Sequence, residues 1–482
     1  MTSDGKGSKL RVRVFCFPGS LLAVLAIVVA SRAIAAQPVY QQPAGIGDLK
    51  DPLIIAGYRA LFTCSAHFFA GRPLSDIAKV ELEEMSRLGY PDPVIDEKRR
   101  LVTAADVSGK VVRVAAFRDS MGCTILPPHW TMADVPHLPN VQYAPLPDVS
   151  AIPFPRGDKI DLGTDGLSPG HRVLGSILER ALDGKSYSEK EGTVTAGVVI
   201  VKGGRIVAEK YRTGFGIHSG YRTWSTSKSM TALLLGIAAR QGLLDVDGPA
   251  DIPEWSSPGD PRQAITYKHL MWMSSGLFSG GDNSYAVYFG GQDVISAATG
   301  NSLEVAPGTR WKYANNDTLL LMRAMRHLLA DDLRFLRFPY DELLHPLGMY
   351  HTRMEVDYQG TFVSSSQTYT TARDLARLGL FLEADGVWEG RRFLPEGWIK
   401  FLTTPAPTRP PVAGQMGYGA QFWLLDQMPG VPPGTYTTAG RKGQYVTVVP
   451  GHDLVIVRTG VDPEGIRFRQ DQLVADVVRA LK

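Results

Sequence analysis

An α+β fold is predicted: an antiparallel sheet flanked by N- and C-terminal helices, with a large, mainly helical insertion. Three observations predict it. A helix at about 168–183 precedes two strands, 195–201 and 205–211, joined by Lys202-Gly203-Gly204. Towards the C-terminus, strands at 445–449 and 454–459 flank Pro450-Gly451-His452-Asp453 and lead into an amphipathic helix at about 471–481. Between the hairpins, as far as about Trp398, the chain reads as helices and loops. Helix and hairpin in front, hairpin and helix behind, close one sheet with both chain ends.

The elements follow in order. Residues 1–36 read as a signal peptide: a basic stretch from Lys6 to Arg13, an apolar run from Val14 to Ala30, then Ala33-Ile34-Ala35-Ala36 as a small-residue cleavage site. The run is short for a spanning helix and contains Pro18, so cleavage is expected over retention as an anchor. The body is therefore expected outside the cytoplasm, periplasmic or secreted, touching a membrane only through an uncleaved leader. Cys16 leaves with the leader. Cys64 and Cys123 remain, and an oxidising compartment favours their pairing over two buried thiols. The formal charge is +3, of which the first 36 residues hold +4, leaving the body at about −1. That balance gives no electrostatic case for nucleic acid.

Residues 37–135 read as a smaller mixed accessory region. A helix is expected over 75–87, capped by Ser75, and a strand pair over 94–107 and 110–126, joined near Ser108-Gly109. Prolines at 136, 139, 145, 147, 153 and 155 make 136–158 an extended connector. The main domain is expected over 159–482.

The chemistry-bearing pattern is Ser225-Thr226-Ser227-Lys228 at the start of an apolar helix running to Gly242. Positions i and i+3 share a helix face, so a hydroxyl and an amine point at one spot. Serine needs a neighbouring base, and burial can lower a lysine's pKa enough to supply one. Tyr313-Ala314-Asn315 adds a phenol, expected to ionise more easily near cations and to pass protons. It also adds an amide able to bond both an ammonium and a substrate. Gly440-Arg441-Lys442-Gly443-Gln444 then leads into a strand whose edge can approach a ligand. Arg441 or Lys442 can pair a substrate carboxylate there.

These residues occur in a wider set. It includes Trp224 to Ser229, Gly242-Leu243-Leu244-Asp245, Ile265 to Leu277, and Pro307-Gly308 before the Tyr-x-Asn. His345 to Met349 and Thr371 to Arg377 complete it. Over about 195–460 the chain resembles the serine β-lactamase and penicillin-binding superfamily. The likeness is to its class C-like branch of esterases and 6-aminohexanoate-dimer hydrolases. The resemblance implies a β-lactamase/transpeptidase-like fold and an acyl-enzyme on Ser225. It implies proton transfer shared by Lys228 and Tyr313, and orientation of substrate by Asn315. The backbone N–H groups of Ser225 and Gln444 would form an oxyanion hole. The family usually carries Lys-Thr-Gly or His-x-Gly where this chain has Arg441-Lys442-Gly443. The form here, Gly-x-x-Gly-Gln, resembles the aminohexanoate-dimer branch, in which a loop tyrosine contacts the amide; Tyr285 or Tyr288 would fill that part.

An exported serine hydrolase for a small amide or ester is thus expected, with β-lactam hydrolysis and D-Ala-D-Ala cleavage as runner-up activities. A sensor that acylates without turnover would show a burst and no steady state. A degenerate scaffold would not label at all. The Gly166-Leu167-Ser168-Pro169-Gly170 stretch lacks the strand that a nucleophile elbow needs, and reads as a helix start. No cofactor is implied. No His-Glu-x-x-His or clustered Cys/His pattern suggests a metal, and His269, His345 and His351 read as structural.

Overall fold

Asp51 opens the first helix, α1 (Pro52–Cys64). Its carboxylate accepts from the Leu53 N–H at 2.8 Å, and Pro52 sits at the first position. The sequence reading contains no element here. The computed structural model describes residues 51–280 and 283–482; the expected leader, with Cys16, lies outside them.

Two expectations for the following stretch are corrected. The single helix over 75–87 is two, α2 (Leu74–Val80) and α3 (Glu83–Arg87). Buried Leu82 bonds back to the Ile77 carbonyl and Glu81 turns in to pair with Arg72, which ends the first helix early. The expected strand pair is a four-stranded antiparallel sheet of β1 (Val94–Asp96), β2 (Leu101–Ala105), β3 (Val112–Arg118) and β4 (Gly122–Ile125). Each expected strand folds back on itself. Arg100, at φ 57°, turns the first beside an Asp96 carboxylate that accepts from the Arg99 N–H; Gly122, at φ 65°, turns the second. A Cys64–Cys123 disulfide ties the end of α1 to β4.

The proline-rich stretch is extended over 139–149 but, against expectation, coils into turns over 150–158, where the Gly157 N–H bonds the Pro153 carbonyl and the Asp158 N–H the Val149 carbonyl; a short 3-10 turn precedes it. Next comes α4 (Gly175–Leu182), shorter than expected because Pro169–Leu174 forms a 3-10 turn in front of it. Ser168 bonds His171 at 2.8 Å within that turn. The first hairpin is β5 (Thr195–Lys202) and β6 (Arg205–Tyr211). A short strand, β7 (Tyr221–Arg222), leads into α5 (Thr226–Arg240).

The insertion carries α6 (Tyr267–Met271), α7 (Asn283–Tyr288), α8 (Val294–Thr299), α9 (Asn315–Leu329) and α10 (Asp332–Pro339). Then follow β8 (Arg353–Met354), β9 (Thr368–Thr370), α11 (Ala372–Glu383), β10 (Val387–Trp388), β11 (Arg391–Arg392) and α12 (Trp398–Thr403). The chain ends with β12 (Gly417–Tyr418), β13 (Trp423–Leu424), β14 (Tyr436–Gly440), β15 (Gln444–Val449), β16 (Leu454–Gly460) and α13 (Gln470–Ala480).

The main sheet runs β12-β13-β14-β15-β16-β5-β6, antiparallel throughout. The two ends of the expected domain thus meet at the β16–β5 pairing. Alternation along β5 decides which layer each side chain joins. Val198 and Ile200 face α4 and α13, packing with Leu178, Val474 and Val477. Val199 and Val201 face the other way, into the large core with α5, α9 and α11. That larger core also takes in Leu61 and Phe62 of α1 and Val102 and Ala115 of the four-stranded sheet, so one apolar interior extends across the proline-rich connector.

Candidate active site

The nucleophile candidate stands at a forced turn. Trp224 lies between β7 and α5 with φ 49°, a left-handed conformation that is costly for a side chain of this size. The turn sets Ser225 in the capping position of α5, and its N–H has no acceptor among the described residues. Thr226, the first residue of α5, touches the Thr438 hydroxyl at 3.2 Å and the Gln444 carbonyl at 3.5 Å. Its contacts lay the helix start beside the end of β14 and the beginning of β15. A Cβ on Gly440 would run into the Thr223 carbonyl, so only glycine permits this approach.

Lys228 follows one turn later and is 1% exposed. Its Nζ lies 2.9 Å from Ser225 Oγ, 2.8 Å from Asn315 Oδ1 and 2.5 Å from the Ser365 carbonyl. A neutral amine has two N–H donors and one lone pair. The amide oxygen and the carbonyl take the donors, leaving the lone pair for the serine hydroxyl. Burial pushes the lysine's pKa well below that of a free side chain. Hydrogen bonding and desolvation therefore favour the same protonation state.

Tyr313 is hydrogen-bonded to Ser225 from the other side, and its ring lies 5.1 Å from Lys228 Nζ. Tyr418 and Trp423 enclose it at 5.8 and 5.7 Å. The expectation of an easily ionised phenol is reversed: burial outweighs the Ser225 hydrogen bond and drives its pKa upward. Burial thus tightens the phenol's hold on its proton and loosens the lysine's.

The structure sorts the remaining candidates. Both ends of the Asn315 amide are engaged, Oδ1 by Lys228 and Nδ2 by donation to Ser284 Oγ at 3.0 Å. Tyr288 meets the Ser365 hydroxyl at 2.5 Å, behind the lysine. Tyr285 instead accepts from Arg441 at 3.1 Å. The carboxylate expected opposite Arg441 is supplied by the protein, since Glu464 accepts from its guanidinium. The Gln444 side chain donates to the carbonyls of Lys442 and Gly460, and its own carbonyl lies against the Thr226 hydroxyl, which leaves its N–H as the group able to serve the site. Sequence reasoning missed Ser284, Ser365, Trp423 and Glu464, which sit in stretches without a motif. His269 and Thr266 cap α6 reciprocally, and His345 packs against Tyr143 and Tyr340.

Ser225, Tyr313, Trp423, Gly440, Arg441 and Lys442 line a cavity of about 460 Å³. A second cavity, of about 660 Å³, shares Arg441 and Lys442 and is walled by Tyr58, Lys79, Trp224 and Phe289. The N-terminal segment thus reaches the rim of the site.

A family model described as Beta-lactamase matches residues 174–478. The chain belongs to the beta-lactamase family. The 6-aminohexanoate-dimer hydrolase of Paenarthrobacter ureafaciens is 25% identical over 319 residues, covering 60% of this chain and 80% of that protein. Two solved structures share the fold. A penicillin-binding protein homologue from Caulobacter crescentus has TM-score 0.51 at 16% identity, over 65% of this chain and 98% of its own. A family VIII carboxylesterase has TM-score 0.51 at 15% identity, with the same two coverages. Residues 51–173, with the four-stranded sheet, precede the segment that the beta-lactamase model matches.

Proposed function

We propose that the protein is an exported serine hydrolase that cleaves a small amide or ester through a Ser225 acyl-enzyme. In specificity it is closest to the 6-aminohexanoate-dimer hydrolases and esterases. The observation that carries this reading is the buried Lys228 amine, 2.9 Å from the Ser225 hydroxyl and otherwise held by two pure acceptors. Its lone pair takes the hydroxyl proton as Oγ attacks the substrate carbonyl. The oxyanion then rests on the N–H groups of Ser225 and Gln444; each such donor typically lowers the barrier by roughly 3–4 kcal/mol. Tyr313 passes its proton to the departing amine or alkoxide and recovers one from the Lys228 ammonium. Water releases the acyl group over the same relay.

Arg441, neutralised by Glu464 and bonded to Tyr285, shapes the cavity wall instead of presenting a free cation. The preference for amides and esters over β-lactams is supported by the Gly440-x-x-Gly443-Gln444 form and by the 25% identity to the aminohexanoate-dimer hydrolase. Export rests on the basic-then-apolar leader; among the described residues no helix is long and apolar enough to cross a membrane.

The test is labelling with a fluorophosphonate, followed by assay with short p-nitrophenyl esters, a linear aminohexanoate dimer and nitrocefin. Labelling at Ser225, with ester and dimer turnover exceeding nitrocefin turnover, is the expected result. Undiminished labelling of Ser225→Ala would overturn the assignment.

A further inference from the structure

On the β6–β7 side of the molecule, three side chains from separate stretches converge: Asp158 at the end of the connector, His218 between β6 and β7, and His351 just before β8. One donor atom from each lies within 4.8 Å of the other two. The imidazole rings are 4.6 Å apart, and His351 Nε2 is 3.9 Å from Asp158 Oδ2. No pattern in the sequence announces the group, because no two of its members are near neighbours in the chain.

The carboxylate is fixed in advance. Arg377 donates to its Oδ1 at 2.8 Å and to the Pro155 and Gly157 carbonyls, so Oδ2 is left facing the histidines. Neither imidazole has a hydrogen-bond partner among the described residues, apart from that longer approach of His351 to Asp158. Nearby positive charge is already matched, with Arg377 also pairing Asp374 and Arg373 pairing Glu209. Counting Asp158, Asp374 and Glu209 against two arginines leaves the cluster acidic, which suits a cation. Two imidazoles and one carboxylate are borderline donors, the set that zinc-class ions prefer over calcium or magnesium. Tetrahedral zinc needs donor spacings of roughly 3.4 Å. The exposed loop position of His218 allows the side-chain rotation that closes the gap.

The geometry points to a divalent transition-metal site, of zinc class, formed by Asp158, His218 and His351, which clamps the connector and the β6–β7 loop to the main domain. It lies outside the Ser225 cavity, with none of its residues among that cavity's lining. Its effect is read on stability, with three protein ligands and a fourth position left to water.

Tag-free full-length chain, stripped with chelator and dialysed, is titrated with ZnCl2 by calorimetry, and its Tm is measured with and without the metal. Expected are one equivalent bound and a raised Tm. His218→Ala and His351→Ala should each weaken binding at least tenfold and remove the Tm rise, while their metal-free Tm stays at the parent value. Should either alanine variant unfold, His218→Gln, at an exposed position, carries the same test. Absence of a saturating equivalent, or unchanged binding by the His218→Ala/His351→Ala double variant, would overturn the proposal.

Discussion

The molecule buries cations in two different ways. Arg458 and Arg377 are each 1% exposed or less and are clasped by carboxylates. Arg458 meets both oxygens of Asp462 at 2.8 and 2.7 Å, and Arg377 meets Asp374 and Asp158, each at 2.8 Å. Lys228 is as deeply buried, yet its neighbours are an amide oxygen, a carbonyl and a hydroxyl. A carboxylate partner holds the charge in place and makes the cation structural. Neutral acceptors leave the charge uncompensated, which lowers the lysine's pKa and suits it to the base role proposed for it. Arg458 serves the site from behind: it also donates to the Gly443 carbonyl at 2.8 Å, holding the turn that carries Gln444.

The comparison can be broken first at the lysine. Lys228→Arg keeps a cation but supplies no lone pair, since a guanidinium does not deprotonate in proteins. Steady-state hydrolysis should fall by at least about 10⁴-fold with the fold intact by circular dichroism; general-base loss combined with nucleophile inactivation exceeds the usual 10²–10⁴ range for proton transfer alone. Residual turnover within tenfold of the parent would show that charge, not basicity, matters.

At the paired cation, Arg458→Met strands Asp462, whose Oδ1 also accepts from the Val194 N–H at 2.7 Å. A loss of about 3–5 kcal/mol in unfolding free energy is expected, read by urea denaturation. A loss below 1 kcal/mol would place Arg458 outside the structural class. Tyr313→Phe removes the proton donor while keeping the ring against Trp423, so kcat should drop roughly 10²–10³-fold with KM little changed.

A pH-dependent effect sharpens the contrast from the acidic side. Asp317, buried with only the Ser275 hydroxyl at 2.8 Å as side-chain donor, has its pKa raised by burial to about 7. Because the folded value lies above the ordinary 3.8, the native state holds this proton more tightly than the unfolded chain. Its contribution is intact below about pH 4 and is lost as pH rises through about 7. Asp317→Asn should therefore gain stability relative to the parent, by about 4 kcal/mol more at pH 8 than at pH 4 for a pKa moved from 3.8 to about 7. A pH-independent difference in denaturation midpoints would remove Asp317 from the comparison.

What the sequence made legible follows the same divide. The two hairpins, α5 and the Ser225–Lys228 pair could be read because periodicity and helix spacing are local; Tyr313 joined them only through the family resemblance. The antiparallel closure at β16–β5 followed from the order of elements. The four-stranded sheet was misread as two long strands, although the charged run Asp96 to Arg100 and the Asp119-Ser120 pair before Gly122 are polar turn signals, because neither turn holds a proline. α1 was missed although Asp51-Pro52 before an apolar stretch is a helix-start signal; its burial against β3 and Phe289 is a long-range fact. The phenol of Tyr313 was assigned the wrong ionisation tendency because aromatic enclosure by Tyr418 and Trp423 depends on chain segments far apart. Glu464 neutralises Arg441 for the same reason: a carboxylate contributed from a distant loop has no trace in the local pattern.

The most direct measurement is the pH dependence of Ser225 labelling by a fluorophosphonate, in the parent and in Lys228→Arg. An uncharged lysine as base predicts a single ionisation well below the ordinary 10.5, with full reactivity above it, absent from the variant. A parent titrating near that ordinary value, or a variant labelling at the parent rate, would contradict it.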